Sequence, residues 1–189
     1  NRIGNSKVEG HIEGLGTTIA IVLGGTNSQS QSFTKVVLVR DGSFSFNSDL
    51  DEAGGGRIIT WGMLFKRKSG KPLWMRSRVV TYHINPGEHI SIEGKLKPYS
   101  VDYTIKGNRI SEQSNAFRRG TLHLLEEEAR AALLADNIRY ESTSPEKEKL
   151  AWHVLDSLRT KYDSRKLEYA LANPNYELSA SLLQIQEKD

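Results

Sequence analysis

The chain has no cysteine, which excludes disulfides, thiolate zinc sites and thiol nucleophiles within these residues. No apolar run approaches the roughly 20 residues that a membrane-spanning helix needs. The opening residues, Asn1-Arg-Ile-Gly-Asn-Ser-Lys7, lack the apolar core of a signal peptide, so a mature or trimmed form is expected. Charge of one sign is lacking too. The net charge is +3, with 14 Lys+Arg against 9 Asp+Glu in residues 1–107 and 12 against 14 in 108–189, which provides no basic arm for nucleic acid. Glycine is missing from one half only: 15 of the 16 glycines precede position 108 and Gly120 alone follows it. That asymmetry marks a change of architecture.

Residues 1–107 hold short β-branched or alternating runs, separated by Gly, Asn, Asp and Pro at roughly ten-residue intervals, the spacing of a sandwich or barrel. Eight strands are expected, at Lys7 to Ile12, Thr18 to Leu23, Phe33 to Val39, Ser43 to Asn47, Arg57 to Phe65, Arg78 to Ile84, His89 to Glu93 and Ser100 to Lys106. Arg40-Asp41-Gly42-Ser43 carries the Asp-Gly signal of a tight hairpin, because both central residues of a type I′ turn need positive φ. Asn85-Pro86-Gly87-Glu88 pairs a φ-locked proline with a permissive glycine and is a second turn, from Thr81-Tyr-His-Ile84 into His89-Ile-Ser-Ile-Glu93, whose type the residues leave undecided.

Residues 108–189 follow helical spacing. Phe117, Leu122, Leu125, Ala129, Ala132 and Leu133 form one stripe over about Ser114 to Asn137, with Glu126, Glu127 and Glu128 largely opposite. Ser144-Pro145-Glu146 combines a hydroxyl N-cap, a proline at the first helical position and an acid in the first turn. Leu150, Val154, Leu158 and Tyr162 recur every four residues after it. A short helix from Arg165 to Ala172 should stop at Asn173-Pro174, and Leu178, Leu182 and Ile185 mark a last one. The expected fold class is therefore α+β by segments: an antiparallel β-sandwich or open barrel of about eight strands in 1–107, then three or four helices in 108–189.

Candidate chemistry is sparse. Val8-Glu-Gly-His-Ile-Glu-Gly-Leu-Gly16 has the glycines of a phosphate loop, but the strand-like Thr18 to Leu23 follows where a helix N-terminus is required, so a turn between strands is expected. Gly10, in mid-strand, points to a bulge or to close backbone packing. Ala53-Gly54-Gly55-Gly56-Arg57 is either an anion nest or, the preferred alternative, a flexible hairpin loop. Asp49-Leu-Asp51-Glu52 lacks the remaining ligands of a calcium loop, and His83, Glu88 and His89 only flank one turn. No catalytic residue, cofactor site or metal site is assigned. The candidate interaction surface is Trp61, Phe65, Arg67, Trp74 and Arg76, where aromatics and cations interleave across a long hairpin with Ser69-Gly70-Lys71-Pro72 at its tip. The same residues also suit two core tryptophans beside a charged edge.

The order of several pieces is familiar. Lys7-Val-Glu-Gly-His-Ile-Glu-Gly-Leu-Gly16, then Thr18 to Leu23, then Val39-Arg-Asp-Gly-Ser-Phe-Ser-Phe46 resemble the x-V-x-G-x-I-x-G-L and D-G-x-F-x-F pattern of an all-β domain of unknown function. That domain precedes thioredoxin-like domains in Gram-negative envelope thiol-disulfide proteins. Gly87-Glu-His-Ile-Ser-Ile-Glu-Gly94, Tyr103-Thr-Ile-Lys-Gly107 and Glu168-Tyr-Ala-Leu-Ala-Asn-Pro174 are similar to later runs of the same family. The resemblance implies an envelope location on the periplasmic side, a lipid-anchored precursor as the only membrane link, and redox chemistry in a downstream Cys-x-x-Cys domain beyond Asp189. It brings no catalytic residues to this segment. The expected function is a non-catalytic spacer, docking or dimerisation module, with the downstream domain or a second copy as partner. The alternatives are a small-ligand-binding or enzymatic β-barrel using the Trp61 to Arg78 hairpin, and an independent structural protein complete at Asp189.

Overall fold

The computed structural model describes residues 6–141 and 144–186, the last three by backbone only. Residues 1–5, considered above for a leader, and the side chain of Ile185 lie outside the described residues. Ten strands precede three helices: β1 (Ser6–Glu13), β2 (Thr18–Thr26), β3 (Ser32–Val39), β4 (Ser43–Ser48), β5 (Gly54–Thr60), β6 (Phe65–Lys66), β7 (Pro72–Leu73), β8 (Val80–Ile84), β9 (His89–Leu96) and β10 (Val101–Lys106), then α1 (Arg109–Glu141), α2 (Pro145–Ala172) and α3 (Glu177–Gln186). The chain divides into two compact units. The first runs to Leu64 and includes Arg78–Asn115, and the second joins Phe65–Ser77 to the chain from Ala116 onward.

The first unit is a β-sandwich of two four-stranded sheets, ordered β10-β9-β1-β4 and β3-β2-β5-β8. Every pairing is antiparallel except β1 with β9. Alternate residues enter one shared core in which Val8, Ile12, Val22, Val39, Ile90, Ile92 and Val101 are fully buried. Tyr82 is buried with them, its ring edge-on to Phe46 at 5.8 Å, and burial pushes its hydroxyl well above the usual range.

Turn chemistry matches the sequence closely. Asp41 and Gly42 have φ of 47° and 82°, and Arg40 and Ser43 exchange backbone hydrogen bonds of 2.8 and 2.9 Å. Pro86 and Gly87, φ 83°, occupy the corners of the next hairpin in the residue order of a type II turn, and the Glu88 N–H donates to the Asn85 carbonyl at 3.1 Å. Gly10 pairs with Phe44 in unbroken register, and a Cβ there would lie 2.6 Å from the Phe44 ring. Close packing, not a bulge, explains it.

Several expectations need correction. Gly54, Gly55 and Gly56 form no loop; they begin the central strand β5 and pair with β2 on one side and β8 on the other. Neighbouring backbone leaves no room for side chains, since a Cβ at Gly54 would sit 2.2 Å from the Gly25 carbonyl oxygen and one at Gly55 2.2 Å from that of Tyr82. The expected strand from Arg57 to Phe65 ends at Thr60, where Trp61–Met63 make a 3₁₀ turn that buries Met63. The long hairpin is correspondingly short: only Phe65 with Leu73 and Lys66 with Pro72 pair, around a loop at 67–71.

In the helical unit, α2 runs unbroken through the stop expected before Arg165. Ser144 Oγ accepts from the Lys147 N–H at its start, and Asn173 closes its end on the Tyr169 carbonyl at 3.0 Å. Its buried residues are Ala151, Leu155, Lys166 and Ala170, one position round from the expected Leu150 and Val154, which are exposed. Glu128, expected on the outer face of α1, is buried. α1 starts earlier than its apolar stripe, because Asn108 Oδ1 accepts from the Ser111 N–H at 2.8 Å. No helix among the described residues is long and apolar enough to cross a membrane.

Asn108 also joins a polar clip. Glu88 Oε2 accepts from Asn108 Nδ2 at 2.7 Å and from the Asn85 N–H at 3.0 Å, and Oε1 accepts from Asn85 Nδ2 at 2.7 Å. Partial burial pushes this carboxyl up, but the donated hydrogen bonds outweigh it and hold the group below the usual range. A lowered folded value stabilises the fold above the unfolded value and loses that contribution as pH falls through the folded one. Glu88→Gln should therefore cost about 1 kcal/mol at neutral pH, and its melting temperature should converge with that of the wild type as the medium is acidified from pH ~7 to pH ~3. Gly55→Ala should destabilise by about 2 kcal/mol or more, whereas Gly120→Ala, with nothing near the added methyl, should stabilise by up to about 1 kcal/mol. Urea titration of each variant checks both.

Candidate functional site

The five residues of the expected interaction surface fall in different environments. Trp61 is in the sandwich unit and is 74% exposed, at the end of β5. Phe65, Arg67, Trp74 and Arg76 are in the helical unit. Phe65 is buried, and Arg67 Nε lies 3.8 Å from Asp136 Oδ1. Trp74 is exposed on the side of a polar trough of about 410 Å³ lined by Met75, Arg76, Glu128, Arg159, Asp163 and Lys166.

Arg76 organises that trough. Its Nε and Nη2 both donate to Glu128 Oε2, at 3.0 and 2.7 Å, and its guanidinium lies 4.0 Å from the centroid of the Tyr162 ring. Arg159 Nε is 3.7 Å from Glu128 Oε1, and buried Lys166 meets Asp163 at 3.1 Å. Arg159 also lies 3.9 Å from Asp156 Oδ1, so three cations meet three carboxylates. Each carboxylate already answers a cation, so the trough is a charge-paired joint between the hairpin and the helices of its own unit.

Two further cations of the segment are engaged. Lys68 pairs with Glu141, and Arg78 Nη2 donates to the carbonyls of Lys97 at 2.7 Å and Pro98 at 2.9 Å. His89 meets Glu9 at 2.8 Å, while Glu88 serves the asparagines, so His83, Glu88 and His89 do not converge. Among the described residues there is no group of three or more His, Asp and Glu that could hold a metal ion. Asp49 pairs with Lys35 at 2.7 Å, Asp51 accepts from Gln31 Nε2 at 2.9 Å, and Glu52 accepts from Ser28 Oγ at 2.6 Å. These contacts fix a loop.

Two apolar surfaces were not singled out from the sequence. One is a groove of about 230 Å³ between α1 and the first turns of α2, walled by Leu134, Ile138, Leu150 and Val154. The other is the outer face of the second sheet, where Ile19, Ile21, Leu23, Val36 and Leu38 are all exposed. Beside its polar end lies a shallow trough of about 480 Å³ whose floor is the Gly25–Gly55 pair, with Arg57 and His83 on its walls. The missed signal was the lack of alternation in Ile19-Ala-Ile-Val-Leu23 and Val36-Val-Leu-Val39, since a strand with one wet face alternates.

Neither the known protein-family models nor the curated proteins contain a match to this chain.

Either single change at the Arg76–Glu128 joint removes the shortest charge partner of the other residue, and without Arg76 buried Glu128 keeps only the longer contact to Arg159. Arg76→Met and Glu128→Leu should each cost about 2 kcal/mol, and the double variant should recover at least about 1 kcal/mol of the summed loss. A double-mutant cycle by urea denaturation reads this directly, and strict additivity contradicts it.

Proposed function

We propose that this chain is a non-catalytic accessory module of an envelope thiol-disulfide oxidoreductase-like protein, a spacer that docks a thioredoxin-like domain following Asp189. The observation that carries this is the groove between α1 and α2. Leu134, Leu150 and Val154 are exposed along a wall with almost no polar surface, although Ala151 and Leu155 beside them are fully packed. A helical hairpin that buries one stripe and leaves a second apolar stripe open is built to receive another body. The ordered run of strand motifs, from Lys7-Val-Glu-Gly to Tyr103-Thr-Ile-Lys-Gly107, supports the redox association.

A ligand-binding β-barrel using the aromatic and basic hairpin has less support. The polar trough at Trp74 belongs to the helical unit, and its Arg76 is committed to Glu128.

The coding sequence beyond Asp189 tests the association: a thioredoxin pattern with Cys-x-x-Cys is expected there, and an immediate stop codon sinks it. The docking surface is tested by mixing this chain with the separately expressed downstream domain. Leu150→Glu with Val154→Glu should weaken the complex by at least about tenfold in calorimetry, with an unchanged melting temperature, because both side chains are exposed.

A further inference from the structure

The two sheets of the sandwich serve as controls for each other. Outward positions of the first sheet are polar or charged: Lys7 and Glu9 on β1, Glu93 on β9, and Asp102 and Lys106 on β10. The second sheet has the same inward core but the opposite exterior. Ile19 stands beside Leu38, Ile21 between Val36 and Ile59, and Leu23 follows on the same face, a contiguous patch across three strands. Val36 is 73% exposed and Ile19 57%.

We propose that this outer face of the second sheet, in its apolar half, is the contact through which two copies of the chain associate, sheet against sheet. The proposal goes beyond the docking of a downstream domain and does not depend on it. Three observations select a second copy as occupant.

The first is area. From their fractional exposures, the five exposed aliphatic residues Ile19, Ile21, Leu23, Val36 and Leu38 offer on the order of 500 Å², comparable with the largest apolar patch of a typical monomer. Two copies bury on the order of 1,000 Å² before any rim is counted, the threshold for a specific interface. The second is charge. None of the five is charged; Arg57, the register partner of Leu23, borders the patch with His83 beyond it, so a two-fold axis centred on Ile21 and Val36 opposes apolar rows. The third is sequence pattern. β2 and β3 carry nearly continuous aliphatic runs, the composition of strands covered on both faces, and the sandwich core covers only one. Two identical sheets share one twist and can stack at about 10 Å, as the layers of a sandwich do. Trp61, next along the chain after Thr60, whose register partner is Ala20, adds an exposed anchor of the type that dominates interface energy.

Analytical ultracentrifugation of the 189-residue chain over ~10 to ~500 µM tests the idea. The wild type should move from its monomer mass of 21.2 kDa toward twice that value, and Ile21→Lys with Val36→Lys should raise the dimer dissociation constant at least about tenfold. Far-UV circular dichroism should be unchanged, and Ser45→Lys on the first sheet should leave dimerisation intact. If the double lysine variant loses its fold, Val36→Thr with Leu38→Thr provides the same comparison. The proposal is overturned by a wild type that stays monomeric throughout, by variants that dimerise like the wild type, or by a monomer that floats with phosphatidylcholine/phosphatidylglycerol vesicles unless Ile21 and Val36 are replaced.

Discussion

One packing constraint governs the sandwich unit: every second side chain of eight strands must fill a single core, with no space left where backbones converge. Val8, Val22, Ile58, Ile90 and Ile92 occupy that core at essentially zero exposure. Period-two burial then fixes register, because a slip by one residue would turn each aliphatic side chain outward. It also explains the glycines. At one end of the β2–β5 pair, Gly24 faces Gly56 and Gly25 faces Gly55, with Gly54 opposite Thr26, and any Cβ on the β5 glycines would overlap a neighbour's carbonyl oxygen or the Tyr82 hydroxyl. What resembles a loop in composition is the most crowded part of the sheet.

The same constraint leaves the exterior free to differ between the layers. One outer face is charged and hydrated, as expected for an antiparallel sheet with one side in water. The other is aliphatic, and its cost in exposed apolar surface is not required by the core, since Val36 or Ile19 could be polar without changing any inward contact. An apolar exterior that folding does not need is the kind of feature that association explains.

The helical unit is held differently. α2 has little one-sided apolar character, and its anchoring is a mixture of small residues such as Ala151 and Ala170 with the charge-paired joint at Arg76, Glu128, Arg159 and Lys166. Tyr162 lies between cations, with Arg76 on its ring and Lys166 at 5.5 Å. Phe117 meets Tyr162 and Tyr169 edge-on at 6.0 and 5.2 Å. Such a joint ties the hairpin of Phe65–Ser77 to its helices by geometry more than by buried area, which suits a segment that leaves a second apolar stripe open.

Local chemistry made the turns and helix ends legible in sequence. Asp41-Gly42, Pro86-Gly87, Ser144-Pro145 and Asn173-Pro174 each limit the backbone within a few residues, so their structural outcome required no distant partner. The alternating run of Val101, Tyr103 and Ile105 likewise identified the last strand and its inner face. Tertiary structure alone decided the rest. Glycines at 54–56 join a strand because Gly25 and Tyr82, far along the chain, come within contact distance of them. Glu128 is buried because Arg76, 52 residues earlier, reaches it, and the five residues of the expected surface are distributed by such long-range contacts. The sequence determined most strands and the helical half, because propensity and periodicity act over a few residues; where the β5 glycines paired and which faces remained open depended on what the folded chain brought opposite them, and that is a property of the packing.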